Sequence, residues 1–225
     1  MFISESMTRA IVTVTRDEGI FEAKNKMRAH NIRHLPVVDD KGNLVGMVTD
    51  RDLRSALPSD LFHNPLSGSE KERYAKMTVA EIMTTDLVTV SPEFTIQDAL
   101  LMFQEKKVGA LPVVDRTGQL TGIVSVRDLL RAFINVMGIG EPGTLLCVLV
   151  EEKVGQMKRI VDAISEENIS LGSILVARYW DKDKRAVFPY LLTQNVGHIK
   201  KKLTGLGYTL LNPMEWYLDR LPKKE

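Results

Sequence analysis

The sequence contains a gapless internal repeat, and a duplicated segment constrains the fold more than any local pattern does. Shifting the chain by 76 positions aligns residues 7–54 with residues 83–130. Both copies contain LPVVD, and they end in the related octets GMVTDRDL and GIVSVRDL. The chain of 225 residues therefore contains two copies of one structural unit, followed by a segment of different character.

Each copy predicts a strand, a helix, a hairpin and a second helix. IVTV and LVTV are β-branched runs typical of strands, and residues 19–30 and 95–106 carry apolar side chains at helical spacing. LPVVD and the next apolar run flank a short glycine turn, which predicts a hairpin. A second helix begins at Arg-Asp-Leu. Each unit would expose one sheet face, so we expect the two to pair about a pseudo-twofold axis and form a cleft.

The rest of the chain predicts a linker and a further domain. Residues 58–76 are rich in Pro, Ser, Gly and charge, which indicates a linker, and a capping box at Thr78 and Glu81 then opens copy two. Beyond a glycine hinge at residues 138–140, the pattern predicts the order β-α-β-β-α-β. We therefore expect an α/β (α+β) protein with units at residues 1–57, 77–137 and 143–218.

Composition narrows the class of protein. The formal net charge of +1 gives no broad electrostatic reason to bind nucleic acid or an anionic membrane. The single cysteine, Cys147, lies in an apolar run and has no disulfide partner within the chain, which indicates a buried thiol in a reducing compartment. No apolar run reaches the ~18 residues of a membrane span, and the first residues lack the positive charge of a signal peptide. We expect a soluble cytoplasmic protein.

The sequence offers no evident catalytic group. The four histidines do not show metal-ligand spacing, one cysteine cannot supply a CxxC site, and no Walker loop or GxGxxG motif follows a strand. Asp39 and Asp40 are followed by Lys-Gly-Asn, which is typical of a hairpin turn rather than of a catalytic carboxylate pair. We expect no catalytic residue, no metal site and no catalytic cofactor.

The repeated octets allow two interpretations. In residues 49–52 and 125–128 the hydroxyl residue is suited to cap a helix, and the aspartate three positions later opposes the helix dipole. Capping does not explain Arg51 and Arg127, because the same dipole disfavours a cation in the first helical turn. A bound phosphate would explain hydroxyl, guanidinium and backbone N–H groups together. The alternative for Arg51 is a solvated pair with Asp50, whereas Arg127 follows a valine.

On these motifs, residues 1 to about 137 resemble a tandem pair of cystathionine-β-synthase (CBS) domains, a Bateman module. The resemblance implies a regulatory sensor that binds an adenine nucleotide (AMP, ADP, ATP or a related adenosine compound) in the cleft. It implies that the [ST]-x-x-D motif holds phosphate and ribose, and that adenine lies between the segment ahead of the first strand and the residues before LPVV. The candidate residues are Thr8, Val12, Ile32, Arg33, His34, Thr49, Arg51 and Asp52 in one pocket, and Thr84, Val88, Val108, Gly109, Ser125, Arg127 and Asp128 in the other.

The copies differ within these candidates. Copy one has Arg33 where copy two has Gly109, so the two pockets need not bind with equal affinity. His34, which precedes LPVV in copy one, corresponds to Ala110 in copy two. A lone histidine is more typical of a packed or hydrogen-bonded residue than of a phosphate contact.

The C-terminal segment, with Gly155 between its first strand and helix, resembles an ACT domain of ferredoxin-like fold. The whole chain is similar to the bacterial acetoin-utilisation CBS-ACT proteins. That resemblance implies a second small ligand or a dimerisation role for this segment, a homodimer, and a regulated enzyme or other protein partner. The alternatives are a structural dimerisation adaptor with empty nucleotide sites, and a small enzyme, for which the sequence supplies no nucleophile or base.

Overall fold

The computed structural model describes residues 1–57, 68–181 and 183–211. The chain folds as two compact units, Met1–Leu130 and Arg131–Glu225. Among the described residues, no helix combines the length and the apolar composition that crossing a membrane requires.

The first unit contains both copies of the repeat. Its two hairpins are antiparallel and have the same register, with His34 opposite Thr49 in one and Ala110 opposite Ser125 in the other. The elements are α1 (Ile3–Ser6), α2 (Ile20–Ala29), β1 (His34–Val38), β2 (Leu44–Thr49), α3 (Asp50–Ala56), α4 (Gly68–Lys76), a 3₁₀ turn (Val79–Glu81), α5 (Ile96–Lys106), β3 (Ala110–Val114), β4 (Leu120–Ser125) and α6 (Val126–Val136), whose last residues belong to the second unit.

The first predicted strand of each copy is shorter than expected. IVTV makes only a parallel bridge between Val14 and Val37, and LVTV makes the equivalent bridge between Val90 and Val113. In copy one the Val14 N–H donates to the carbonyl of Pro36 at 3.1 Å. Pro36 has no N–H with which to extend the ladder toward Val12, and Pro112 has the same effect in copy two.

The first residues of each copy, ahead of IVTV or LVTV, form a lead-in segment that crosses to the other copy. Thr8 and Ile123 exchange backbone hydrogen bonds at 2.9 and 3.0 Å, which joins the N-terminal segment to β4. Met47 and Thr84 exchange the equivalent bonds, both at 2.9 Å, and join the lead-in of copy two to β2. The two copies are therefore interlocked, a feature that the sequence analysis did not predict.

The core of copy one includes part of the segment expected to be a linker. Tyr74 of α4, which lies within the predicted linker, packs against the core of copy one. Val79, from the unit predicted at residues 77–137, is buried in the same core. Residues 58–67 of the predicted linker lie outside the described part of the chain. The remainder of that segment, residues 68–76, is helical.

The second unit is one sheet with two helices. Four strands lie in the order β9, β6, β8, β7, the short β5 also pairs with β8, and every pairing is antiparallel. Both helices contribute buried side chains to one core, such as Ile160 and Leu203, which pack with strand residues such as Val148. The elements are β5 (Thr144–Leu145), β6 (Val148–Glu151), α7 (Gln156–Glu166), β7 (Leu171–Asp181), β8 (Lys184–Leu191), α8 (Gly197–Gly205) and β9 (Thr209–Leu210); residues 212–218 of the predicted domain lie outside the described part.

The glycine segment that was expected to act as a hinge is packed against the sheet of the second unit. A Cβ on Gly138 would lie 3.0 Å from the Cα of Gly172, so the two backbones touch. Ser173 Oγ donates to the carbonyl of Met137 at 2.9 Å, and Tyr190 Oη donates to the carbonyl of Glu141 at 2.6 Å. Gly138 therefore serves close packing, whereas a Cβ on Gly140 would meet no atom within 4 Å.

Cys147 lies between β5 and β6, and its thiol is buried, as its apolar surroundings in the sequence predicted. Burial raises the pKa of this thiol to about 11, because the thiolate would lose its hydration. The group is therefore protonated and unreactive at neutral pH.

The interlocking can be tested at Gly122, which is buried in β4 beneath the side chain of Met7. A Cβ at this position would lie 3.0 Å from Met7 Cγ and closer still to Sδ. Gly122→Ala should therefore lower the free energy of unfolding by about 1–3 kcal/mol, measured by urea unfolding. In a Met7→Ala background the same substitution should cost less, by at least about 0.5 kcal/mol, because contacting residues are coupled. Equal costs in the two backgrounds would mean that Met7 does not pack on Gly122.

Candidate functional site

A cleft of about 400 Å³ lies between the two copies of the first unit. Its walls come from the end of β2 and the first turn of α3 on one side, and from the lead-in of copy two and the start of β3 on the other. The predicted site residues that line it are Arg33, His34, Thr49, Arg51, Asp52, Thr84, Val88, Val108 and Gly109.

The cleft corrects the grouping that the sequence predicted. Thr8 and Val12 were placed in one pocket with Thr49 and Asp52. The residues that line the cleft with that motif instead come from the other predicted pocket: Thr84, Val88, Val108 and Gly109. The crossing of the lead-in segments is the reason, because Thr84 pairs with Met47, two positions before Thr49.

The other six predicted residues do not line this cleft. Thr8 pairs with Ile123, and β4 ends two residues later at Ser125, so Thr8 lies on the side of the copy-two motif. Val12 and Ile32 are partly buried against the core of copy one. The remaining three, Ser125, Arg127 and Asp128, form the first turn of α6 and its cap.

Further lining residues were missed, among them Met47, Asp86 and Lys107. Asp86 follows from the crossing, since it lies two positions after Thr84, which pairs with Met47 of β2. Lys107 ends α5 in the left-handed conformation, with φ of 53°, and its counterpart Asn31 has φ of 51°. The repeat alignment could have indicated Lys107, because it stands two positions before Gly109.

The [ST]-x-x-D motifs form capping boxes. The Thr49 N–H and hydroxyl both donate to Asp52 Oδ2, at 2.8 and 2.6 Å, and the Asp52 N–H donates to Thr49 Oγ1 at 3.3 Å. Ser125 and Asp128 repeat this geometry with the same three distances. The capping interpretation is therefore confirmed, and Asp52 Oδ1 has no hydrogen bond to a described residue.

A third capping box of the [ST]-x-x-D type shows what the cap alone requires. Thr95 N–H and hydroxyl donate to Asp98 Oδ2 at 2.9 and 2.6 Å, at the start of α5. This box does not line the cleft, and the residue before Asp98 is Gln97. The cap thus forms without an arginine, so Arg51 and Arg127 are not required for capping.

Arg51 is exposed, as the alternative from the sequence had it, but it is not paired with Asp50. Asp50 pairs instead with Arg54, whose terminal nitrogen lies 2.9 Å from Asp50 Oδ2 and whose Nε donates to the Asp50 carbonyl at 3.2 Å. Within the described part of the chain, Arg51 makes no ion pair or hydrogen bond. Its guanidinium lines the cleft with Arg33 and Lys107.

His34 lies half-buried in the cleft and touches the other copy. A Cβ on Gly109 would lie 2.9 Å from His34 Nε2, so the imidazole rests on the backbone of Gly109. Burial lowers the pKa of His34 below its ordinary value, and the charge of Arg33 lowers it further, while Asp52 and Asp50 act in the opposite direction. The ring is therefore mainly neutral at pH 7.

The cleft is suited to an anionic ligand with an apolar part. Four cationic side chains line it against three carboxylates: Arg33, Arg51, Arg54 and Lys107, and Asp50, Asp52 and Asp86. Val88 and Val108 supply half-buried apolar surface. Among the described residues, no group of three or more His, Cys, Asp or Glu side chains is arranged to hold a metal ion.

Comparison with known proteins places both copies in one family. The CBS domain family model matches residues 3–59 and 79–135. A CBS domain-containing protein of Dictyostelium discoideum is 36% identical over 138 residues, which cover 61% of this chain and 94% of that protein. A protein assigned to acetoin utilization (AcuB) from Vibrio cholerae is 30% identical with a TM-score of 0.53, over 63% of this chain and 98% of that structure.

The structure of CBSX2, solved in complex with AMP, is 30% identical with a TM-score of 0.50, over 59% of this chain and 96% of that one. These similarities agree with the family model, whose two matched segments coincide with the two copies of the repeat. The chain therefore belongs to the CBS-domain family and carries two CBS domains in tandem.

Proposed function

We propose that this chain is a non-catalytic regulatory sensor whose CBS pair binds an adenine nucleotide. CBS-pair proteins are generally regulatory, and the similar CBSX2 was solved with AMP. The observation that carries the proposal is Arg51, which lines the cleft with Thr49 and Asp52 and has no ion pair or hydrogen bond to any residue that the structure describes. Capping explains the hydroxyl and the carboxylate but leaves this cation without a role.

The proposed ligand uses groups that the cap leaves available. Arg51 and the nearby Arg33 and Lys107 would contact phosphate, since a guanidinium binds phosphate oxygens through paired N–H groups. Asp52 Oδ1 would accept a hydrogen bond from a ribose hydroxyl while Oδ2 stays in the cap. Val88 and Val108, with Thr84, would contact the adenine ring.

The second proposed site is formed around the copy-two motif. Ser125, Arg127 and Asp128 would hold phosphate and ribose there, and Thr8 joins them through its pairing with β4. The exact repeat of the cap distances supports equivalent roles for the two motifs. The ligands of the two sites need not be the same, since Lys107 is replaced by Asn31 and Arg54 by Leu130 in the counterpart positions.

We further propose that the second unit is an ACT-like domain that binds a second small molecule or mediates dimerisation. Its β-α-β-β-α-β order and its antiparallel strand order support a ferredoxin-like arrangement. Gly155, with φ of 93°, makes the turn between β6 and α7. Ligand binding in the CBS pair would be coupled to this unit and would bias the activity of a protein partner.

A homodimer is proposed on the exposed apolar side of α6. Val126, Leu130, Phe133 and Ile134 follow helical spacing on one face, and Leu130 is 60% exposed. Exposed apolar stripes of this kind mark interaction surfaces, and twofold pairing of identical copies is the commonest solution. The same face supports the alternative of an adaptor that dimerises with empty nucleotide sites, which the next experiment separates from a sensor.

Asp52→Ala should weaken AMP binding, measured by calorimetry, by about 1.5–3 kcal/mol, because the ribose loses a charged acceptor. Asp128→Ala should have the same effect on the second site. Asp98→Ala is the matched control, because it removes a capping carboxylate of the same geometry outside the cleft and should leave AMP affinity unchanged. Full affinity in the Asp52→Ala/Asp128→Ala double variant would contradict the assignment, and absence of AMP binding in the wild type would favour the adaptor.

Arg51→Ala and Arg127→Ala should weaken AMP far more than adenosine, since only AMP carries the phosphate. The difference should shrink as salt rises, because partly exposed charges are screened. Binding curves for both ligands at low and high salt provide the measurement. Arg116→Ala, which removes an exposed arginine from the β3–β4 turn, should leave both affinities unchanged. Equal losses for AMP and adenosine would mean that the two arginines do not contact phosphate.

The dimer can be tested by placing on α6 the two residues that stand at the same positions of α3. Asp50 and Arg54 form an ion pair on α3 at the positions of Val126 and Leu130 on α6. The Val126→Asp/Leu130→Arg variant should therefore fold but remain a monomer of 25.3 kDa in light scattering, whereas the wild type should have twice that mass. A monomeric wild type, with and without nucleotide, would rule out the dimer.

A further inference from the structure

His34 and Gly109 form a pair across the two copies that the repeat does not predict. The positions are counterparts of Ala110 and Arg33, so each copy carries a different pair of residues before LPVV. A Cβ at position 109 would lie 2.9 Å from His34 Nε2 and 3.1 Å from Cε1. The imidazole therefore occupies space that only a glycine at position 109 leaves open.

The imidazole of His34 has both cationic and anionic side chains around it. Arg33 precedes it in the chain, and Asp50 and Asp52 of α3 oppose the effect of Arg33 on its protonation. Asp50 is paired with Arg54, and Asp52 is engaged by Thr49, so both carboxylates already have partners. The other charged groups that line the cleft around the ring are Arg51 of α3, Asp86 of the copy-two lead-in and Lys107 at the end of α5.

An anion that enters this cleft changes the balance of charge around the imidazole of His34. Burial and the charge of Arg33 hold the pKa of His34 below its ordinary value in the free protein. A phosphate adds negative charge beside Arg33 and would favour the imidazolium, as opposite charges within a few ångströms do. An uncharged nucleoside brings no such charge.

We propose that His34 determines the specificity of this cleft for phosphorylated ligands by taking up a proton from solvent as the phosphate binds, an inference that rests on the proposed nucleotide-binding function. The protonated ring adds a cation that the free cleft lacks. Discrimination between a phosphorylated ligand and its nucleoside therefore increases as pH falls. The coupling belongs to one cleft, because the counterpart of His34 is Ala110, which is buried and cannot titrate.

The direction and size of the pH dependence of ligand affinity follow from the linkage between binding and protonation of His34. Above the pKa of His34 in the complex the ring is neutral in both states, and affinity does not depend on its protonation. Between that pKa and the lower pKa of the free protein, binding takes up a proton, so affinity rises by up to about tenfold for each unit of falling pH. Below both values the dependence disappears.

Calorimetric titration of AMP and adenosine, in two buffers of different ionisation enthalpy, measures proton uptake directly. The variants are His34→Gln, which keeps a polar side chain that cannot take up a proton, and His30→Gln, a control that removes an exposed histidine at the end of α2. Wild type and His30→Gln should take up a fraction of a proton with AMP that His34→Gln does not. The AMP phosphate titrates near pH 6, but its own contribution is common to all three proteins.

Equal proton uptake with AMP in wild type and His34→Gln would overturn the role of His34 while leaving nucleotide binding intact. Absence of AMP binding at every pH would overturn both the inference and the function on which it rests. A measurement on wild type alone covers the case in which His34→Gln does not fold. The pKa of His34, followed by the NMR shift of its ring proton, should rise when AMP is added and stay unchanged with adenosine, and no rise with AMP would overturn the proposal.

Discussion

The exchange of lead-in segments between the two copies is the contact on which the cleft depends. Met7 lies over Gly122 of copy two, and Met83 lies over Gly46 of copy one, where a Cβ would come within 2.6 Å of Met83 Sδ. A side chain at either glycine would clash with the methionine that packs there from the crossing segment. The crossing in turn places Thr84 beside β2, which is why the walls of the cleft come from both copies.

The [ST]-x-x-D motif caps a helix wherever it occurs in the described residues, and at two of these places it is also proposed to bind a ligand. Three capping boxes share their hydrogen-bond geometry, but the one at Thr95 has no arginine and lies outside the cleft. Capping thus accounts for the local structure at all three helix starts. The arginines at positions 51 and 127 add something that capping does not need, and the helix dipole opposes them. A motif that first serves the fold can therefore also provide a binding surface, because its cap uses only one of the two carboxylate oxygens.

Local patterns in the sequence predicted the local structure well. The repeat, both hairpins, the helices at residues 20–29 and 96–106, and the element order of the second unit all follow from periodicity and turn residues. The crossing could not be predicted in this way, since the pairing of Thr8 with Ile123 joins residues 115 positions apart and depends on tertiary contacts. The missed grouping of Thr84 and Val88 with Thr49 has this single cause. Nine of the fifteen candidate residues nevertheless line the described cleft, because the motif positions themselves do not depend on which copy supplies the opposite wall.

The two copies have diverged in ways that fit different surroundings. On α3 the outer positions carry the Asp50–Arg54 ion pair, and the helix ends at Ala56 after 7 residues. On α6 the same positions are Val126 and Leu130, and the helix continues for 11 residues with further exposed apolar side chains. An ion pair is stable in water, whereas an apolar stripe gains free energy only when another surface covers it. Because both helices begin with the same cap, the difference does not arise from the local requirements of the helix start. It therefore reflects what each outer face meets: the cleft, which Asp50 and Arg54 line, for α3, and, on the dimer proposed above, a second copy of the chain for α6.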